Sequence, residues 1–247
     1  LLDRITELSS QAGTLNPVMA ESADLTPREK EVLDLGRAQA EELGVDPDVI
    51  EAVLRNLIRV SLASQERDRV VAEGKGDGRT VLIIGGGGKM GGWFAEFFAS
   101  QGFATTIADR SIEDGPNQYR NWTDAGVEYD VIVVAAPLSV SGRILAQLAV
   151  LKPKGLVFDI GSLKSPLMDG LQELKEAGCR VTSIHPMYGP DTRLLSGRHL
   201  IFCDVGVPEA TAAAKELFAA TMVEQLDMSL EDHDRLIAYV LGLSHAL

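Results

Sequence analysis

Positive charge is scarce in this 247-residue chain: 23 Lys and Arg stand against 36 Asp and Glu, for a net charge of −13. So acidic a chain is a poor partner for a nucleic-acid backbone or an anionic membrane surface, and both are set aside. Long hydrophobic runs are also missing; none reaches the length of a membrane span. No signal-peptide pattern is visible, although the chain does not begin with Met. Cysteine is nearly absent. Cys179 and Cys203 are too few for a disulfide framework and have no metal-ligand spacing, so they read as free thiols in a reducing, cytoplasmic compartment. The four histidines do not cluster in sequence, and no metal centre is expected. Hydrophobic residues make up 45% of the chain, enough for a substantial core in one large or two modest domains.

The richest stretch is Thr80–Gly91, TVLIIGGGGKMG. Val81, Leu82, Ile83 and Ile84 read as a buried parallel strand. The run ends in glycines and enters Trp93–Phe98, which has helical spacing. Gly86, Gly88 and Gly91 satisfy G-x-G-x-x-G: a glycine for the tight turn, one for the approach of a pyrophosphate, one for close packing of helix on strand. Lys89 and Met90 lie within the motif, where the helix N-terminus offers unpaired N–H groups to phosphate. About 20 residues on, the strand at 104–109 ends in Asp109, placed to accept from the adenosine ribose hydroxyls. A carboxylate there repels a 2′-phosphate, which favours NAD over NADP. Arg110 follows at once and could meet a 2′-phosphate or stack on adenine.

Residues 1–73 read as all helix, with Leu1–Ser10 part of one. Thr26-Pro27-Arg28-Glu29 is a helix start with threonine cap, first-turn proline and capping-box glutamate. That helix is expected to run to about Leu43 and stop at Gly44. Asp46-Pro47 starts the next, whose apolar face is Val49, Ile50, Val53, Leu54, Leu57 and Ile58. Gly74–Gly78 is a linker by composition. From Thr80 strands and helices alternate, the pattern of a Rossmann-type α/β fold with a doubly wound parallel sheet. Strands are expected at 81–85, 104–109, 130–136, 155–160, 180–184, 199–204 and 222–226. The organisation is therefore a small helical domain at 1–73, a nucleotide-binding domain at 79–227, and the start of a further helical domain at 228–247. The last helix, capped by Ser229-x-x-Asp232, meets no ending signal.

Ligands of such sheets sit beyond the carboxyl ends of the strands. Three segments fall there: Ala136–Ser139, Asp159–Lys164 and Ser183–Asp191. Pro137 and Ser139 would line the cofactor site. His185 closes a strand before a proline and is held at the rim, where histidine suits proton transfer near neutral pH. Ser162 could orient it or touch the nicotinamide. Lys164 reads either as an anion binder or as a solvated charge at a helix start.

Together GGGGKMG, DIGSLK, HPMYGPD and EDHDRL resemble the prephenate dehydrogenase family, in particular its bifunctional chorismate mutase/prephenate dehydrogenase arrangement. The resemblance implies NAD-dependent oxidative decarboxylation of prephenate to 4-hydroxyphenylpyruvate in aromatic amino acid (tyrosine) biosynthesis. The same chemistry on arogenate or 4-amino-4-deoxyprephenate is the alternative, as is residual mutase activity. It implies that His185 accepts the proton of the ring hydroxyl, that Ser162 matches the family's active-site serine, and that His245 matches a histidine from the first helix of its C-terminal domain. That domain builds the family's homodimer and supplies an arginine for the substrate carboxylate, and only its start lies within the sequence. Laid on a chorismate mutase without gaps, Arg28, Glu29, Ser61 and Gln65 fall on active-site positions. A mutase arginine falls on Ile5, a lysine on Asn16 and an acidic position on Leu25. Two cations that would hold a dianionic substrate are thus replaced. Arg4 points about 100° away on the helix. Residues 1–73 carry eight Lys and Arg against fifteen Asp and Glu. A degenerate mutase domain retained for assembly is expected, with subunit contacts through Val53, Leu54, Leu57 and Ile58.

Overall fold

The computed structural model describes residues 26–246, with side chains through Tyr239. The helix read at Leu1–Ser10, and positions 4, 5, 16 and 25, lie outside the described residues. The backbone forms two compact units.

The smaller unit holds α1 (Pro27–Glu42) and α2 (Pro47–Ala72). Thr26 and Glu29 close the expected capping box reciprocally, and α1 ends at Leu43 before Gly44, whose φ is +67°. The two helices meet through Val32 and Leu33 on one side and Leu54 and Ile58 on the other. This corrects one expectation. Leu54 and Ile58 are buried inside the chain and are not free for a second subunit, while Val49 and Val53 stay exposed. The unit also includes Thr192–Arg198 and Ala220–Glu224. Glu66 ties both to α2 by accepting from the backbone N–H of Leu195 at 2.7 Å and of Met222, while Arg69 donates to the Ala220 carbonyl at 2.6 Å.

The larger unit is built on an eight-stranded sheet in the order β3-β2-β1-β4-β5-β6-β7-β8. Its strands are β1 (Thr80–Ile84), β2 (Ala104–Ala108), β3 (Gln118–Tyr119), β4 (Val131–Val134), β5 (Leu156–Asp159), β6 (Arg180–Pro186), β7 (His199–Cys203) and β8 (Glu224–Met228). Helices α3 (Lys89–Ser100), α4 (Trp122–Ala125), α5 (Leu138–Leu151), α6 (Met168–Glu176), α7 (Pro208–Glu216) and α8 (Leu230–Ala246) complete the unit. Strands β1 to β6 are parallel in the Rossmann order 3-2-1-4-5-6. β4 is buried at every position, as expected of a central strand with both faces covered. The sheet departs from an all-parallel reading at β7, which runs antiparallel to β6. Its preceding connection, residues 187–198, holds no crossover helix, and an antiparallel neighbour needs none. The short edge strand β3 escaped sequence reading because two residues carry no periodicity. Since β1, β2, β4, β5 and β6 share one direction, all their carboxyl ends open on one edge.

Candidate active site

At that edge the turn after β1 runs directly into α3. The positive-φ residue of the turn is Gly85, at +95°, one position before the glycine to which sequence reading gave that duty. Gly86 is required for another reason: a Cβ there would lie 2.7 Å from Ile107 on β2. At Gly91 a Cβ would lie 2.1 Å from the Gly85 carbonyl oxygen, so only glycine lets α3 begin this close to the turn. At Gly88 the nearest atom would be 3.3 Å away, and the position is exposed. Gly88 is also the N-cap of α3 and offers no side chain to its first N–H groups. Uncapped N–H groups and a bare backbone suit an approaching pyrophosphate. Lys89 is exposed and Met90 half-buried beside them.

Beside the turn lies a cavity of about 700 Å³. Asp109, Arg110, Pro137, Ser139, Arg120 and Arg143 are among its lining residues. Asp109 Oδ1 accepts from the Ser111 N–H at 2.8 Å and hydroxyl at 2.7 Å, while Oδ2 has no protein partner among the described residues. A fixed carboxylate with one open oxygen fits a ribose diol. The turn and the cavity thus suit the pyrophosphate and the adenosine ribose of a dinucleotide.

Farther along the edge, β6 brings up His185. The residue is 9% exposed, and its Nδ1 lies 2.8 Å from Nε2 of His233 in the first turn of α8. His233 Nδ1 lies 2.9 Å from Asp234 Oδ1. Asp234 also accepts the backbone N–H groups of Lys164 and Ser165, each at 2.7 Å, and the Ser165 hydroxyl. These contacts tie the start of α8 to the loop after β5. Beneath them Lys164 is fully buried, its Nζ donating to Asp159 Oδ1 at 2.8 Å and to the Ile184 carbonyl at 2.7 Å. Lys164 is therefore neither a solvated charge nor an anion binder; both readings are corrected by its inward ion pair.

The electrostatics follow. Burial, then the Lys164 charge and His233, push His185 down to about 3, so it is neutral at physiological pH. Burial also lowers His233, against the pull of Asp234. Burial alone would raise Asp234, but hydrogen bonds from Ser165, Lys164 and His233 prevail and hold it at about 2.

Ser162 is exposed on the loop after β5 and makes no hydrogen bond to His185 among the described residues; the partner of His185 is His233. The side chain of His245 lies outside those described. His233, Asp234 and the buried role of Lys164 were missed by sequence reasoning. One available signal was the Ser229-x-x-Asp232 cap, with Ser229 Oγ accepting from Asp232 N–H at 3.0 Å, which pins His233 to the first turn of its helix.

The fold and the turn define a nicotinamide-nucleotide-binding domain of the Rossmann type. Residues 102–224 match the family described as prephenate dehydrogenase, nucleotide-binding domain. The T-protein of Enterobacter agglomerans is 29% identical over 245 residues, which are 99% of this chain and 63% of that protein. The T-protein of Haemophilus influenzae is 26% identical over 243 residues, 97% of this chain and 61% of that one. The crystal structure of prephenate dehydrogenase from Aquifex aeolicus superposes with a TM-score of 0.55 at 21% identity, covering 67% of each chain. The chain is thus similar to the prephenate dehydrogenase family through this domain, and it spans about three fifths of the length of the T-proteins it matches.

Proposed function

We propose that the protein is an NAD-dependent prephenate dehydrogenase, which converts prephenate to 4-hydroxyphenylpyruvate and carbon dioxide. The observation that carries this reading is a neutral imidazole, His185, at the carboxyl edge of a dinucleotide-binding sheet in a chain similar to this family. When bound, the nicotinamide takes the hydride from the ring carbon bearing the hydroxyl. The residues of the chain hold and deprotonate the reactants. The Gly88 turn and the α3 N-terminus receive the pyrophosphate, and Asp109 receives the ribose. His185 accepts the hydroxyl proton. As the carbon–hydrogen bond breaks, that proton belongs to a nascent protonated carbonyl and becomes strongly acidic, so even a weakly basic imidazole accepts it. The electrons of the bond to the departing carboxylate then complete the aromatic ring.

NAD rather than NADP is the fitting cofactor, because Asp109 would meet a 2′-phosphate with like charge. Ser162 and His245 join the site as substrate contacts in this reading, and the protein works as a cytoplasmic homodimer. The free, buried cysteines support a reducing compartment. Residues 1–73 serve as a mutase-like helical domain without mutase activity. Its mutase-position residues are committed locally: Arg28 pairs with Glu31, Glu29 closes the helix cap, and Gln65 donates to Ser61. Arg55, a replacement cation by position, is held by Glu51. The test is a panel of prephenate, arogenate and 4-amino-4-deoxyprephenate, each with NAD⁺ and NADP⁺, read as absorbance of the reduced cofactor. Prephenate with NAD⁺ is expected to give the highest kcat/KM. A clear preference for either amino substrate would move the assignment to that substrate.

A further inference from the structure

The chain Asp234–His233–His185 has a direction that its hydrogen bonds determine. Asp234 is ionised and can only accept, so His233 must carry its proton on Nδ1 and donate it. A neutral imidazole has one N–H, which leaves His233 Nε2 a bare acceptor. His185 Nδ1, 2.8 Å away, must therefore be the donor, and the second nitrogen of His185 is left as a lone pair. That Nε2 has no protein partner among the described residues. Free histidine carries no such instruction; here the carboxylate sets it two rings away.

We propose that His233 is a relay residue that fixes the tautomer of His185 and takes over its charge during turnover, held in place by Asp234. The idea rests on the dehydrogenase reading for its substrate and on geometry alone for its tautomers. When the substrate O–H proton passes to His185 Nε2, the Nδ1 proton of His185 passes to His233 Nε2. The substrate loses one proton, His185 ends neutral, and His233 ends as an imidazolium against the Asp234 carboxylate. Release of the Nε2 proton to solvent, with return of the shared proton from His233 to His185 Nδ1, restores the starting state. The alternative resting place for the charge, His185 itself, is the worse one. Both rings are buried and both feel the Lys164 ammonium, but only His233 is hydrogen-bonded to the Asp234 carboxylate, at 2.9 Å.

Two measurements test this. Long-range ¹H–¹⁵N spectra of the histidine side chains in this chain, at pH 7 to 8, should show both His185 and His233 protonated on Nδ1. A His185 signal of the Nε2–H form would overturn the relay whatever the protein's substrate. Kinetics on the full protein, with prephenate and NAD⁺, separate orientation from charge transfer. His233→Gln keeps an acceptor for His185 Nδ1 but cannot take a proton. It should retain the His185 tautomer and the KM for NAD⁺ yet lower kcat about 10- to 100-fold. His233→Leu should lose the tautomer and lower kcat further. Undiminished kcat in His233→Gln would overturn the charge transfer and leave a mere orienting contact. A wild-type protein inactive on every substrate in the panel would count against the dehydrogenase reading, while the spectra would still decide the tautomers.

Discussion

Lys164→Met is the perturbation with the most to reveal about how this site is held. The ammonium is completely buried and meets an equally buried carboxylate, Asp159. Among the described residues Asp159 Oδ1 has one other donor, the Gly161 N–H at 2.7 Å, and its Oδ2 has none. Removing the lysine therefore strands a nearly unsolvated charge with a single hydrogen bond. It also frees the Ile184 carbonyl, next to His185. Breaking a buried pair from one side typically costs about 3–5 kcal/mol, and in a chain of this size each kcal/mol lowers Tm by roughly 2–4 °C, so a drop on the order of 6–20 °C is expected. The assay is thermal and urea unfolding followed by circular dichroism. The double variant Asp159→Asn/Lys164→Met should recover at least half the loss, because it removes the stranded charge. A loss below about 1 kcal/mol for Lys164→Met, or a double variant no better than the single, would refute the reasoning.

Three further outcomes follow from the same structure. The folded chain refuses a proton on His185 until about pH 3, whereas the unfolded chain accepts one below about 6.5, so stability is full above that value and falls as pH drops through this window. Between pH 7 and 4.5 this group alone should account for about 2–3 kcal/mol, read as the difference between the wild-type and His185→Asn urea midpoints; identical pH slopes would contradict it. Lys164, His233 and Asp234, the charged and titratable groups that act on His185, are present in both proteins, so the comparison isolates His185. Asp109→Asn should shift kcat/KM toward NADP⁺, since Arg110, Arg120 and Arg143 line the same cavity; a wild-type preference for NADP⁺ would assign the choice to the arginines instead. The purified protein should not consume chorismate in a direct absorbance assay, and robust conversion to prephenate would point to Arg4, Arg55 or Arg59 as replacement cations.

What could be read in advance was local. The β1 run, the glycine turn and the carboxylate following β2 lie within 30 residues and have their own periodicity and punctuation, so the strand, the turn into α3 and the place of Asp109 were legible. So were both caps, at Thr26 and Ser229, because capping is a matter of three or four consecutive residues. The direction of β7 was not, because alternation is the same in parallel and antiparallel strands. Lys164 looked like a helix-start charge; only the fold places Asp159 and the Ile184 carbonyl around its ammonium. His233 sits 48 residues from His185, and its significance appears only when α8 docks on the loop after β5 through Asp234. His245, the histidine of this helix that the family resemblance implies, lies outside the described side chains; among those described, the one in contact with His185 lies three turns earlier.

The central claim, that His185 accepts a proton during oxidative decarboxylation on this sheet, is tested most directly by stoichiometry with one variant. With prephenate and NAD⁺, the full protein should produce NADH and carbon dioxide in equal amounts. His185→Asn should bind NAD⁺ as the wild type does and turn over about 10²- to 10⁴-fold more slowly. No NADH from the wild type, or undiminished turnover by His185→Asn at neutral pH, would contradict the account.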